Sequence, residues 1–202
     1  TSRSVESSTE TLNNPRFKTI RRMEDCLQKV KKAIELYERA RASPNSVTVT
    51  ELARRISSPR SHGSSAKAGV KAHNVWGDPL QACTSEDYWT PLPLAHTLEG
   101  MWIYGVADLV RFRHGQPIEV VELKHYKEPD KYAEAQAAIY AWLTAKLFNA
   151  KPKAYLVLGW NRQRYTAILE VKYSLTEVER KVKTTLSAME SRKKRSAHRK
   201  NS

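Results

Sequence analysis

The chain has 202 residues, 40% of them apolar, and a formal net charge of +14 at neutral pH. That length allows one domain with extensions, and the apolar content suffices for a single core. No apolar run approaches the roughly 20 residues of a membrane span, and the N-terminus has no signal-peptide core, so no membrane partner is expected. So large an excess of one sign points to an anionic partner, most simply nucleic acid. Cys26 and Cys83 are far apart in sequence. A disulfide framework is therefore not indicated, and a reducing, cytoplasmic (intracellular) setting is the default expectation.

Residues 1–14 are rich in Ser, Thr and Asn and read as a disordered leader. Residues 15–45 read as a basic helical extension. Phe17, Ile20, Met23, Leu27, Val30, Ile34 and Tyr37 recur at helical spacing up to about Ala42. That apolar stripe suits a helix capping the core. Lys18, Arg21, Arg22, Lys29, Lys31 and Lys32 crowd the polar side, which suits a contact surface for DNA or a partner chain. Thr50 is placed to cap a short helix over Glu51 to Ile56. Arg54, Arg55 and Arg60 follow as candidate phosphate contacts. Ser57 to Ser65 reads as a loop, and Lys67 to Val75 as a helix carrying Gly69 and His73. Residues 77–98, with Pro79, Pro91 and Pro93, read as irregular, and the stretch from Leu98 to Val106 begins a strand.

The chemistry concentrates in two apolar strands joined by the turn His114-Gly115-Gln116-Pro117. Asp108 lies on the first strand, and Glu122 and Lys124 on the second. Buried charges are costly unless paired or bound to metal. Alternation puts Glu122 and Lys124 on one face, and pairing through the turn brings Asp108 to the same end of the sheet. Two carboxylates and an ammonium then converge. Hard carboxylate oxygens suit Mg²⁺ or Mn²⁺, and a lysine beside them suits orienting a water for attack on phosphorus. Taken alone, the D…ExK pattern also fits a hairpin whose charges reach solvent at a sheet end. Glu99 is a further acid within reach by sequence.

Asp130 or Pro129 starts the next helix, Lys131 to Phe148, with Gln136 and Tyr140 on one face. Ala154 to Trp160 and Tyr165 to Tyr173 read as partner strands. Leu175 to about Met189 is a final amphipathic helix, and residues 191–202 read as a basic disordered tail.

Asp108, Glu122-Leu123-Lys124 and Gln136-x-x-x-Tyr140, preceded by Gly69-x-x-x-His73 and Val47-Thr48 through Ser58-Pro59-Arg60, resemble the PD-(D/E)XK nucleases of the RecB-like group. The look is nearest to CRISPR-associated RecB-like exonucleases and their viral and plasmid relatives. The resemblance covers about residues 46–175 and sets the nuclease domain at 46–190. It implies an α/β fold with a restriction-endonuclease-like core, a central mixed sheet flanked by helices, and here an N-terminal helical extension. It also implies His73 and the Leu123 carbonyl as metal ligands beside Asp108 and Glu122, and Gln136 and Tyr140 as positioning groups. The expected activity is a Mg²⁺- or Mn²⁺-dependent exonuclease on single-stranded DNA or DNA ends. A homo-oligomer belongs among the expected partners, since the group has ring-forming members. Three features depart from the pattern. Ser58 replaces a cysteine; Gly77 and Asp78 stand where the family usually has an acidic residue one turn after the histidine; and no cysteine follows Cys83, so no iron–sulfur cluster is expected. The rival readings are a noncatalytic nucleic-acid-binding protein and a junction-type endonuclease.

Overall fold

The computed structural model describes residues 15–57, 78–161 and 163–200. The chain is α/β: a curled mixed sheet of six strands flanked by four helices, the first of them N-terminal. In chain order these are α1 (Pro15–Ala42), β1 (Ser46–Thr48), α2 (Val49–Ile56), a 3₁₀ turn (Pro79–Cys83), β2 (Asp87–Leu98) and β3 (Met101–Arg113). Then come β4 (Gln116–Leu123), α3 (Lys131–Phe148), β5 (Lys153–Leu158), β6 (Ala167–Val171) and α4 (Leu175–Lys200).

Strand β3 is the axis of the sheet. β2 runs antiparallel to it along its whole length, from Asp87↔Arg113 to Leu98↔Met101. A strand has two edges, so β1 and β4 share the other one. β1 pairs in parallel with Trp102 to Tyr104, and β4 pairs antiparallel from Leu109 to Arg113. Between them, Gly105 to Asp108 face no strand on that edge among the described residues. β5 continues the sheet parallel to β4, and β6 closes it antiparallel to β5.

The two faces of the sheet differ. Cys26 and Val30 of α1, Leu52 of α2, Trp142 and Phe148 of α3, and Val182 and Leu186 of α4 join one core with Leu94, Ile103, Phe112, Val120 and Leu156. Alternation turns Leu109, Val121 and Val157 to the other face, where they meet Trp89, Leu123, Tyr155 and Trp160. That face holds an apolar cavity of about 470 Å³. No helix among the described residues is long and apolar enough to cross a membrane.

Several sequence expectations are corrected. The stretch expected to be irregular over 77–98 forms a 3₁₀ turn and the twelve-residue strand β2. Its prolines are accommodated because β2 pairs with β3 alone among the described residues, and the pairing register shifts between Thr90 and Leu92, around Pro91. The cap of α2 is Thr48, whose Oγ1 accepts from Glu51 N at 3.1 Å, rather than Thr50. Cys26 and Cys83, for which the sequence indicates no disulfide framework, form a disulfide. The fold of α1 against β2 and the 3₁₀ turn brings the two together despite their separation of 57 residues. Helix α4 continues past Met189 to Lys200. The run Ser191-Arg-Lys-Lys-Arg-Ser-Ala-His-Arg-Lys has no Gly or Pro to stop it, and Lys, Arg and Ala favour helix. The expected leader (1–14), the Lys67–Val75 helix with Gly69 and His73, the Ser58–Ser65 part of the loop, Arg60, and Asn201 and Ser202 lie outside the described residues.

Candidate active site

The site forms where β3 and β4 stop pairing. Their last paired residues are Leu109 and Val121, so the same register would set Asp108 opposite Glu122. The ladder does not continue there. Instead Asp108 Oδ2 accepts the backbone N–H of Leu123 at 2.7 Å. A strand residue sends its N–H and C=O to the same edge, so the Leu123 carbonyl also lies on the Asp108 side. The other edge of this segment is anchored to β5 and the turn after it. Lys124 N–H donates to Val157 O at 2.8 Å, and Trp160 N–H donates to Lys124 O at 2.9 Å.

Alternation then brings Glu122 and Lys124 to the face covered by α3. Lys124 Nζ donates to Glu122 Oε1 at 2.7 Å and to Gln136 Oε1 at 2.6 Å. Gln136 Nε2 in turn donates to Thr50 Oγ1 of α2 at 3.4 Å. Asp108, Glu122, Gln136 and Tyr140 are each at most 5% exposed. α3 holds its half of the site rigidly. Asp130 caps it, accepting from Ala133 N at 2.7 Å, and Asn149 ends it in the left-handed conformation.

Tyr140 reaches the unpaired edge of β3 over Gly105. A Cβ on Gly105 would stand 2.6 Å from the Tyr140 hydroxyl, so glycine is what lets the ring in. Burial, then the charges of Glu122 and Asp108, hold the Tyr140 hydroxyl well above its ordinary pKa. It is a neutral donor. For Lys124, burial favours losing the proton, but Glu122 and then Asp108 outweigh it, and the net shift is upward. Lys124 is therefore a fixed ammonium.

Asp108 and Glu122 both act on Lys124 and Tyr140, which places the two carboxylates around one point. Among the described residues, no group of three His, Cys, Asp or Glu is placed to hold a metal. The set is two buried carboxylates with the Leu123 carbonyl beside them, and His73 is outside the described residues. Mg²⁺ commonly takes one or two carboxylates and completes its shell with waters and substrate oxygens. The oxygens present fit such an ion. Glu99 does not join them: it sits in the exposed β2–β3 turn, 3.8 Å from Lys183.

Three neighbours were not singled out for this site by the sequence. Thr50 holds Gln136. Gly105 admits Tyr140. Tyr132, one turn before Gln136 on α3, packs its ring 5.4 Å from Lys124 Nζ and 6.0 Å from the Arg54 guanidinium. The signal for Tyr132 was its i, i+4 spacing from Gln136. Of the candidate phosphate contacts, Arg55 is paired with Glu51 at 2.7 Å, whereas Arg54 meets no carboxylate among the described residues.

No family model and no curated protein sequence matches the chain. One solved structure similar to it is described as "Crystal structure of SSO0001", at a TM-score of 0.38 and 20% identity, over 79% of this chain and 84% of that one.

Proposed function

We propose that the chain is a metal-dependent nuclease of the PD-(D/E)XK, RecB-like kind, hydrolysing phosphodiester bonds in DNA, with single strands or DNA ends as substrate. The observation that carries this reading is the convergence of Asp108, Glu122, Lys124 and Gln136 in one buried, hydrogen-bonded set. A buried acidic pair has no use in a protein that only binds phosphate.

In this reading Asp108, Glu122 and the Leu123 carbonyl hold Mg²⁺ or Mn²⁺, with His73 as a further ligand. Bound there, the ion would polarise a phosphoryl oxygen and lower the pKa of water. The protein's own groups do the rest. Lys124, as an ammonium, orients the attacking water and offsets charge growing on the phosphate. Gln136 fixes the direction of Lys124, and Thr50 fixes Gln136. Tyr140 donates from a neutral hydroxyl and adds no charge. The water oxygen bonds to phosphorus and gives up its proton to solvent, the bond from phosphorus to the leaving sugar oxygen breaks, and that oxygen takes up a proton from solvent. Arg54, Arg55 and Arg60 are the candidate contacts for the rest of the strand.

The test is cleavage of end-labelled single-stranded DNA with Mn²⁺, with Mg²⁺ and with EDTA, beside Lys124→Ala. Metal-dependent shortening lost in the variant supports the nuclease. Tight, salt-sensitive binding with no cleavage under either metal would replace it with the noncatalytic binder. Circular and branched substrates cut in preference to linear ones would favour a junction-type endonuclease.

A further inference from the structure

The wall between α2 and α3 holds an arrangement that the catalytic set does not use. The Tyr132 ring is approached by two cations of different kinds. Lys124 Nζ, 5.4 Å from its centroid, is largely buried and already committed to Glu122 and Gln136. The Arg54 guanidinium, 6.0 Å from the same centroid, belongs to an exposed residue. The adjacent Arg55 gives both its Nε and its terminal nitrogen to Glu51. Arg54 meets no carboxylate among the described residues; its guanidinium carbon lies 6.0 Å from the centroid of the Tyr132 ring. An arginine at cation–π distance from a ring keeps its fork of donors for an incoming anion. Thr50, one turn before Arg54 on α2, is the residue that holds Gln136. So one short helix supports the catalytic lysine through Thr50 and presents, through Arg54, a guanidinium that meets no carboxylate among the described residues.

From this we propose that Arg54 and Tyr132 form a phosphate clamp for the nucleotide next to the one whose phosphodiester is cut. Arg54 is the binding residue. Tyr132 is a positioning residue, fixing Arg54 at a set distance from Lys124. The clamp takes its place beside a scissile phosphate from the nuclease reading, and its ligand chemistry is a backbone phosphodiester of a single strand. Because the ring lies within cation–π reach of both cations, one side chain sets the spacing between the cleaved phosphate and the held one.

The experiment measures binding without turnover: fluorescence anisotropy of a labelled single-stranded oligonucleotide in EDTA, over a salt series, with thermal melting of each variant as the fold control. Arg54→Ala should weaken binding about tenfold or more and make the slope of log K against log salt shallower by about 0.7, one contact's worth for a single strand. Arg180→Ala, the same loss of charge on an exposed stretch of α4, should change binding far less. Tyr132→Leu should weaken binding in the direction of Arg54→Ala, and Tyr132→Phe, which keeps the ring, should restore it. Where cleavage is seen, Arg54→Ala should raise KM far more than it lowers kcat. Equal effects of Arg54→Ala and Arg180→Ala would overturn the clamp and leave the nuclease standing. A loss of binding specific to Arg54, with no cleavage by the wild type, would sink the nuclease and keep the anion site. If Tyr132→Phe behaves like Tyr132→Leu, the ring is not what positions Arg54, and that part falls.

Discussion

Gly105 has no room for a side chain, and the reason is one hydroxyl. An added Cβ would lie 2.6 Å from Tyr140 Oη, 3.0 Å from Cε1 and 3.2 Å from Cζ. Tyr140 is 5% exposed, so its ring cannot swing aside. Gly105→Ala should therefore cost about 1–3 kcal/mol, the usual range for overpacking. Tyr140→Phe removes the nearest atom, so the double variant should regain part of that loss in denaturant melts. Additive losses would show that the two sites do not meet. Lys124 makes a second residue-scale case. Its side chain is 14% exposed and that of its partner Glu122 is 5%. Lys124→Met takes the ammonium away from the buried Glu122 carboxylate, which should cost about 3–5 kcal/mol. Adding Glu122→Gln should recover much of it. Equal melts for the single and double variants would deny the pair any weight. Asp108, Glu122, Lys124 and Gln136 were legible in the sequence because strand alternation and helix spacing are local rules. Thr50 was misread as a cap because its partner, Gln136, is 86 residues away.

Elements were legible in proportion to how much of their stability is local. α3 runs over the residues expected, Lys131 to Phe148, because its cap and its apolar spacing are both in the sequence. The β3–β4 turn, expected over His114 to Pro117, is confined to His114 and Gly115, both at positive φ, and Gln116 and Pro117 open β4. β2 was missed because its prolines are permitted only by edge position and a register shift, and both belong to the sheet. The disulfide was missed for the same kind of reason, since sequence distance says nothing about where α1 packs. It ties α1 to the 3₁₀ turn beside the tip of the β3–β4 hairpin, where a Cβ on Gly115 would come within 3.3 Å of Cys26 Cβ. Its loop of 57 residues predicts, from chain entropy alone, about 4 kcal/mol of stabilisation. Reduction, or a Cys26→Ser, Cys83→Ser double variant, should lower the urea midpoint with little change elsewhere in the far-ultraviolet spectrum. An unchanged midpoint under reductant would mean that α1 is held by packing with Val30 and its neighbours alone.

For the whole molecule, the sequence carried the class and the helix-covered face better than the open one. The apolar strands announced a buried sheet, but no local rule says that Leu109, Val121 and Val157 lie on a face whose cavity stays uncovered among the described residues. The helix-covered face carries a histidine whose pKa shift has a clear cause. His96 on β2 meets the Trp142 ring edge-on, with centroids 5.4 Å apart, where α3 and α4 both come near. Burial first, then Lys146, lowers its pKa below the ordinary 6.5, and Glu179 opposes them. The unfolded chain therefore takes up the proton more readily than the folded one. Stability from this group is complete above about pH 6.5 and is lost as pH falls through the depressed folded value. Unfolding free energies of the wild type measured from pH 7.5 down to pH 5.5 should fall more steeply than those of His96→Gln. Parallel curves for the two proteins would mean that His96 titrates alike in both states, and that the contacts between β2, α3 and α4 do not shield it from its proton.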